Sequence, residues 1–412
     1  MRVRRVAGEV WLSAGFAVVA GIGWWLHSIP LALLGTTGVL VSALFYTWER
    51  ECLTGVAYRR TLAHDRASFG EVIDLDIEIV NDKLLPLTWL HIEDDFPLLS
   101  LEGGSVLFGR SLYRPNLVQV LPMLPFQRIR RRMPITCDRR GLHTIGPARI
   151  RSGNPIGYRQ RHLAVREKLH LLVFPKIFRL EPPNIVPGIP LGDQRIRGLL
   201  GDPSRVSGVR DYRAGDPLRA IDWRATARTG SLLVREFEAT ASPRIALFAD
   251  LWVPELKRVI NSSELEFLVA VVASVVVDLT DRGISVGLYS SASVNGDQIS
   301  YPPSSAPGAP GEMLELLAKA SPYGAYRGMR FADILLSQGP SLPRGTSAVI
   351  VAADFNVALV PALSELCRRV PTTTLWIDIG SGHPPPDGML HGNLQTRFID
   401  DWKQSDTLEL VT

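Results

Sequence analysis

Two long apolar segments open the chain, from Val10 to His27 and from Ile29 to Trp48. Each approaches the roughly 20 residues that a helix needs to cross a bilayer, and the residues between them leave room only for a tight turn. The turn carries no lysine or arginine, whereas both outer flanks carry arginines: Arg2, Arg4, Arg5, Arg50, Arg59 and Arg60. The positive-inside rule therefore predicts a two-helix transmembrane hairpin in residues 1–54, with both flanks in the cytoplasm. A single span plus an interfacial segment is the alternative.

Residues 55–175 show the alternation that is typical of half-buried strands. From Val72 to Val80, apolar and acidic side chains alternate, and a turn follows at Asn81. Further short apolar segments recur at 87–92, 105–108, 117–120 and 129–135. Several short strands at this spacing predict a β-sandwich.

The pattern changes twice more along the chain. Residues 176–243 combine a proline-rich linker with an arginine-rich motif. In residues 244–412, continuous apolar segments such as Ile245–Ala249 and Ala348–Ala353 alternate with helical segments such as Glu264–Arg282. This alternation predicts an α/β domain with a doubly wound parallel sheet, whose ligands would lie at the carboxyl ends of the strands. The expected fold class is therefore multidomain: a transmembrane helical hairpin, a β-sandwich and an α/β domain.

Composition and charge narrow the possible functions. Hydrophobic residues make up 46% of the chain, and the net charge is only +4, which does not by itself indicate a nucleic-acid-binding protein. The three cysteines, Cys52, Cys137 and Cys367, are widely spaced. They form no disulfide or zinc framework, in agreement with a reducing compartment.

The arginine-rich motif, between Gly201 and Glu238, is the densest cluster of charged residues. Arginines and aspartates alternate there with one tyrosine and one tryptophan, and lysine is absent. Since the arginine fork pairs with carboxylates at fixed geometry, the composition favours ordered ion pairs. An aspartate beside an arginine has a lowered pKa and makes a poor general acid or base. We therefore expect a structural motif or a protein-binding surface rather than a catalytic or nucleic-acid-binding site. The candidate residues are Arg210, Tyr212, Asp216, Arg219, Asp222, Trp223, Arg228 and Glu236.

This motif resembles the core signature of the domain-of-unknown-function 58 family. Matching positions include Arg210, Tyr212, Gly215, Asp216, Arg219, Ile221, Asp222, Trp223, Ala227, Arg228, Gly230, Leu233, Val234 and Glu236. A second patch, from Arg139 to Gly157, resembles other elements of the family, although Asn154 replaces the usual aspartate. The resemblance implies a von Willebrand factor A-like domain after the signature. It also implies partnership with a MoxR-type AAA+ ATPase that acts in the assembly or maturation of a client protein.

Asp250 and Asp354 are weak candidates for metal ligands. In metal-binding von Willebrand A domains, the first strand ends in Asp-x-Ser-x-Ser, whose oxygens hold magnesium. Here Asp250 is followed by Leu251, Trp252, Val253 and Pro254, so both serines are missing. We therefore expect no cofactor, with magnesium as the less favoured alternative. The sequence also contains no Walker-type glycine-rich loop and no serine–histidine or cysteine–histidine nucleophile signature, so an enzyme is not expected.

These features together predict an adaptor in the inner (plasma) membrane. It would present cytoplasmic domains to a separate AAA+ ATPase and to a client. One alternative is a metal-dependent adhesion or hydrolytic module that uses Asp250 and Asp354. The other is a structural component of a cell-envelope assembly complex.

Overall fold

The computed structural model divides the chain into two compact units, Met1–Val173 and Phe174–Thr412. It describes the following residues: 3–97, 99–101, 107–110, 115–157, 160–181, 206–212, 221–237, 243–251, 263–321, 330–343, 345–355, 357–379, 383–385, 392–399 and 401–411.

The first unit begins with two helices joined by a tight turn, α1 (Val3–Trp25) and α2 (Ile29–Glu51). His27 turns the chain between them with a positive φ of 51°. The helices pack closely, because a Cβ atom on Gly35 would overlap the backbone of Ala20. Among the described residues, α2 alone is long and apolar enough to cross a membrane, and the described apolar part of α1 is shorter. The N-terminal region therefore contains one helix with the length and composition of a membrane span.

Strands make up the rest of the first unit. They are β1 (Val56–Leu62), β2 (Arg66–Ala67), β3 (Val72–Asn81), β4 (Leu87–Asp95), β5 (Ser100–Leu101), β6 (Leu107–Arg110), β7 (Pro115–Met123), β8 (Arg128–Thr136), β9 (Gly141–Ile145), β10 (Ala148–Gly153), β11 (Gln160–Val165) and β12 (Leu169–Val173). They form a four-stranded sheet (β1-β3-β8-β5), a five-stranded sheet (β11-β10-β4-β7-β6) and a three-stranded sheet (β2-β12-β9). Buried side chains of the first two sheets, such as Ile77 and Ile92, share one core. The sheets thus form the two layers of a sandwich.

The acidic positions of β3 are explained by its neighbour β8. Asp76 lies opposite Arg132 and Glu78 opposite Arg130 in the antiparallel register, and both pairs form salt bridges with N–O distances of 2.9 Å. Among the described residues, β5 pairs with β8 only at Thr136 and Ile135. Arg130 and Arg132 therefore form a cross-strand charge ladder with β3, on a part of β8 that has no described strand on its other side.

A buried ion pair joins the two layers of the sandwich. Arg60 of β1 lies 2.5 Å from Asp94 of β4, and both side chains are 1% exposed. The hydroxyl of Tyr58 donates to the other oxygen of Asp94 at 2.9 Å, and Arg60 also donates to the carbonyl of Glu167. Burial raises the pKa of Asp94, and the Arg60 guanidinium opposes that shift. The two charges therefore satisfy each other's hydrogen-bonding needs inside the core.

Gly146 provides the space for this ion pair. Its φ is +96°, and a Cβ atom there would lie 2.5 Å from Nη1 of Arg60. A glycine is required both by the backbone conformation and by the guanidinium beside it. This accounts for Gly146 within the second sequence patch, which extends from Arg139 to Gly157.

We expect Asp94→Ala to lower the stability of the first unit by about 3–5 kcal/mol, because the substitution leaves the Arg60 charge buried without a partner. Urea unfolding of the full-length chain in detergent, followed by hydrogen-exchange mass spectrometry of β1 and β4 peptides, measures the change. Asp76→Ala is the matched control, since it breaks a solvent-exposed pair. If both variants unfold at the same urea concentration as the parent, the ion pair does not hold the layers together.

The second unit combines a mainly parallel sheet with helices. Its strands are β13 (Arg179–Glu181), β14 (Val206–Asp211), β15 (Leu233–Phe237), β16 (Arg244–Ala249), β17 (Ser285–Val294), β18 (Asp297–Ser304), β19 (Thr346–Ala352), β20 (Thr372–Asp378), β21 (Gly392–Arg397) and β22 (Thr407–Glu409). Its α-helices are α3 (Trp223–Thr229), α4 (Ser263–Asp281), α5 (Ala309–Lys319), α6 (Phe331–Gln338) and α7 (Val360–Arg369), and two 3-10 helices span Gly339–Ser341 and Val357–Leu359.

The six-stranded sheet has the order β18-β17-β16-β19-β20-β21. Every neighbouring pair is parallel except β17 and β18, which form an antiparallel hairpin. Ala246 and Phe248 of β16 share a core with α6 and α7. Ile245 and Leu247 point to the opposite face by strand alternation and are also fully buried. The central strands are therefore covered on both faces, which explains their continuous apolar sequences.

A separate strand pair lies within the same unit. β13 pairs in parallel with β22, although β13 lies in the segment interpreted from its prolines as a linker. Phe178, just before β13, donates its backbone N–H to the hydroxyl of Ser274 on α4 at 2.7 Å. The ring of Phe178 packs against Phe267 and Trp402. The segment that precedes the arginine-rich motif is thus anchored to α4.

Candidate functional site

The arginine-rich motif folds as a two-stranded ribbon with a short helix in its connection. β14 pairs with β15 in antiparallel register, and Ile221 forms an isolated bridge with Val234. These two residues are buried, and Tyr212 packs against them. Residues 206–212 and 221–237 are called the capped ribbon below. Because this apolar centre is small, local hydrogen bonds are needed to stabilise the conformation of the ribbon.

Asp222 provides those hydrogen bonds. It is the N-cap of α3, and its Oδ1 accepts from the backbone N–H groups of Arg224 at 3.0 Å and Ala225 at 3.1 Å. Its Oδ2 accepts from Nε of Arg235 on β15 at 3.1 Å. The backbone hydrogen bond from Ala225, assisted by Arg235, lowers the pKa of Asp222. One carboxylate thus starts the helix and ties it to the strand.

α3 also has a defined C-terminal cap. Gly230 adopts a left-handed conformation with φ 74° and donates its N–H to the carbonyl of Thr226. The hydroxyl of Thr226 accepts from the backbone N–H of Leu233 at 3.0 Å. This arrangement is typical of a glycine C-cap, and it turns the chain directly into β15.

The outer surface of α3 presents an aromatic ring and arginines to solvent. Trp223 is 64% exposed, and Arg224 and Arg228 are also exposed. Arg224 and Arg228 are four residues apart and therefore lie on one side of the helix. Tryptophan and arginine are the residue types that most often dominate protein–protein binding energy. Asp222 thus has a structural role, whereas its neighbours form a surface suited to recognition.

The remaining candidates of the motif are only partly placed. Arg210 lies on β14 and donates to the carbonyl of Asp211. Glu236 lies on β15 opposite Gly208, and its side chain is outside the described residues. Asp216 and Arg219 also lie outside the described residues.

Asp250 and Asp354 lie at the carboxyl edge of the six-stranded sheet. Numbered in chain order from β16, the strands are arranged 3-2-1-4-5-6, so the order reverses between β16 and β19. Asp250 directly follows β16, and Asp354 follows β19 by two residues. In sheets of this order, ligands bind in the crevice at that reversal. The topology therefore brings both candidate carboxylates to the position where a ligand site is expected.

Protein donors already occupy oxygens of both carboxylates. Oδ1 of Asp250 accepts from the hydroxyl of Ser291 on β17 at 2.7 Å. Oδ1 of Asp354 accepts from the backbone N–H of His383 at 3.0 Å and lies 2.8 Å from its Nδ1. Within the described part of the chain, no three histidine, cysteine or acidic side chains are grouped as a metal site.

The sequence pattern does not identify Ser291 and His383 as site residues. Both come from segments distant in sequence from the aspartate that they contact, and neither lies in a metal-ligand spacing. The signal that was available is the Ser290–Ser291 pair, which interrupts an apolar strand at the point where β17 passes the end of β16.

A surface cavity of about 400 Å³ lies on the outer face of the five-stranded sheet of the first unit. Its lining includes Trp89, His91, Arg151 and Ile156. Arg151 forms a salt bridge with Glu93, and burial lowers the pKa of His91, assisted by the Arg151 charge. The sequence pattern does not reveal this cavity, because its lining residues come from four strands (β4, β7, β10 and β11) and one loop.

Residues 208–375 match a family described as "Protein of unknown function DUF58". That range includes most of the capped ribbon, four complete strands of the six-stranded sheet (β16 to β19) and the start of β20. The chain is also similar to an uncharacterized protein of Bacillus subtilis (strain 168), YeaD. It is 24% identical over 231 residues, which cover 54% of this chain and 52% of that protein. The match thus spans about half the length of this relative.

Similarities to solved structures are weaker. The major pilin subunit of Bacillus cereus aligns with a TM-score of 0.22 at 8% identity, over 30% of this chain and 42% of that one. A cohesin module of a Clostridium perfringens family 33 glycoside hydrolase aligns with a TM-score of 0.20 at 11% identity, over 29% of this chain and 97% of that one. Scores this low support no conclusion about fold or function.

We expect Asp222→Ala to increase hydrogen exchange at the Arg224 and Ala225 amides, and Asp222→Asn to do so less, because asparagine retains a capping oxygen. Since folding lowers the pKa of Asp222, the carboxylate stabilises the ribbon above its ordinary pKa. That stabilisation is lost as the pH falls through the lower folded-state value. In the parent protein, the protection factors of the Arg224 and Ala225 amides, corrected for intrinsic exchange, should therefore decrease as the pH is lowered. In Asp222→Asn they should change less with pH. Equal protection in all three chains would exclude the cap.

We expect calorimetric titration of the full-length protein with magnesium to show no saturable binding, because donors from Ser291 and His383 occupy the two carboxylates. Heat that saturates and disappears in Asp250→Ala, but persists in the exposed control Asp297→Ala, would instead identify a metal site.

Proposed function

We propose that the protein is a membrane-anchored, cytoplasm-facing adaptor that binds a MoxR-type AAA+ ATPase and a client protein. The observation that supports this proposal best is the exposed Trp223–Arg228 surface on a helix capped by Asp222. Capping fixes the surface before binding, which reduces the entropic cost of association. The protein itself would carry no catalytic activity.

The membrane attachment in this proposal is a two-span hairpin. α1 and α2 each contain 23 residues, or about 34 Å of helix, and arginines lie at both outer ends of the pair. With both flanks in the cytoplasm, the capped ribbon lies in the compartment where ATP is available.

The second unit would be von Willebrand factor A-like. The proposal is supported by the 3-2-1-4-5-6 strand order with an antiparallel edge strand and by two aspartates at the point where the order reverses. Such a domain without the serine-containing metal loop would serve as a binding module.

A second candidate function is a metal-dependent adhesion or hydrolytic module. The position of Asp250 and Asp354 favours it, because both carboxylates lie where the strand order reverses and where ligands of such sheets bind. The adaptor function requires Trp223, whereas the metal-dependent function requires Asp250.

We expect the full-length protein, purified from detergent extracts of its own cells, to carry an AAA+ ATPase that Trp223→Ala and Arg228→Ala each lose. A hot-spot side chain contributes about 2 kcal/mol or more to binding, so recovery should fall roughly 30-fold. Quantitative mass spectrometry measures the recovered ATPase.

Val357→Ala is the matched control, since Val357 is an 85% exposed apolar residue of the same unit. Its recovery should equal that of the parent. If no AAA+ ATPase is recovered, or if the Trp223 variant retains it fully, the adaptor proposal is wrong and a structural role in envelope assembly is favoured.

A further inference from the structure

The end of α2 continues directly into the sandwich. Cys52, the residue after the helix, is fully buried, and Trp48 and Leu53 pack against the same core. β1 begins at Val56, so at most about 14 Å of chain separates Glu51 from Gly55. The sandwich therefore starts where the apolar helix stops, without a flexible linker.

Two turns of the sandwich meet at this end. The backbone N–H of Asp82 donates to the carbonyl of Gly55 at 2.8 Å, and that of Phe126 donates to the carbonyl of Lys83 at 3.2 Å. The fully buried Asn81 donates to a carbonyl in each turn, Leu85 and Leu124. The β3–β4 turn and the β7–β8 turn are thus fixed beside the exit of α2.

A third loop lies at the same end. It connects β10 to β11, and Ser152 on β10 pairs with Leu90 near the start of β4. The indole N–H of Trp89 donates to the carbonyl of Asn154 at 3.0 Å. The strand register therefore places the loop from Asn154 to Gly157 next to the β3–β4 turn.

These three loops carry the most exposed large apolar side chains among the described residues of the sandwich. Leu84 is 76% exposed, Ile156 73%, Leu124 67% and Phe126 66%. Exposure of large apolar side chains to water is unfavourable. Because these four lie together at one end of the sandwich, they form a patch, unlike single apolar residues scattered over a surface. The same four residues are called the apolar rim below.

Basic residues lie beside the apolar rim. Lys83 is in the β3–β4 turn, Arg128 follows the β7–β8 turn with a side chain that is 58% exposed, and Arg161 is exposed on β11. A Cβ atom on Gly55 would lie 3.9 Å from the Cβ of Lys83, and Arg161 pairs with Ser152 near the end of β10, so both cations lie at this end of the sandwich. Asp82 is an exposed acidic neighbour. Apolar side chains bordered by cations suit an interface that contains anionic lipid headgroups.

We propose that the apolar rim inserts into the headgroup region of the membrane that α2 enters, so that the sandwich lies against the lipid surface. This inference rests on the proposed membrane attachment. The rim would add a second contact with the membrane beside the helix and so fix the orientation of the sandwich. The lipid surface is the occupant because the rim lies beside the exit of the helix.

An environment-sensitive fluorophore at the rim tests the proposal. The full-length chain carries Cys367→Ser, which leaves the fully buried Cys52 and Cys137. The cysteine introduced by Leu84→Cys or Phe126→Cys is labelled with nitrobenzoxadiazole. The control is the same label at Val72, which is 49% exposed. Val72 and Asn81 are the two ends of β3, about 30 Å apart. All chains are reconstituted in vesicles of phosphatidylcholine and phosphatidylglycerol.

At positions 84 and 126, we expect blue-shifted emission, quenching by lipids that carry a doxyl group near the headgroup, and several-fold weaker quenching by aqueous iodide than at position 72. Equal iodide quenching at all three positions would overturn the inference. Carbonate extraction separates this result from a failure of the anchor. Release of the chain overturns both the anchor and the rim, whereas retention with iodide-accessible labels overturns the rim alone.

Discussion

The buried pair of Arg60 and Asp94 is the interaction on which the first unit depends. Two charges in an apolar core are tolerated only when each neutralises the other and the remaining polar atoms have partners. Here Tyr58 and the Glu167 carbonyl complete the set, and Gly146 leaves room for the guanidinium. Since Arg60 and Asp94 belong to different sheets, the pair also fixes how the layers align. Any slip of β1 by one residue would turn Arg60 outward and leave Asp94 buried alone.

In the capped ribbon of the second unit, a residue that holds the structure together is next to a residue that is exposed to solvent. Asp222 is committed to the helix N-terminus and to Arg235, whereas Trp223, the next residue, faces solvent. A motif of this kind can retain its shape while the exposed side chains differ. The interleaved arginines and aspartates are thus explained in part by one helix cap and by one ion pair between that cap and β15.

Much of the local structure follows from the sequence, and most long-range contacts do not. The alternation from Val72 to Val80 predicted β3 to within one residue, because a half-buried strand imposes that period. The continuous apolar segments predicted β16 and β19 for the corresponding reason, burial on both faces. The match over residues 208–375 agrees with the family resemblance noted from the motif.

The candidate site was less predictable. Asp222 was identified, but its role as an N-cap depends on a helix of seven residues that is too short to show periodicity. The contacts of Ser291 and His383 depend on which strands are neighbours, which no local pattern encodes. The pairing of β13 with β22 was missed because both strands are three residues long and their pattern carries almost no signal.

That last pairing changes how the capped ribbon relates to the rest of the chain. β13 precedes the ribbon and is fixed to β22 and α4, and β16 follows it in the middle of the six-stranded sheet. The ribbon is therefore an insertion within the second unit rather than a linker between two folded domains. The strands before and after the ribbon are both hydrogen-bonded within the second unit. Because Asp250 comes directly after β16, the strand that follows the ribbon is also the one that leads into the crevice.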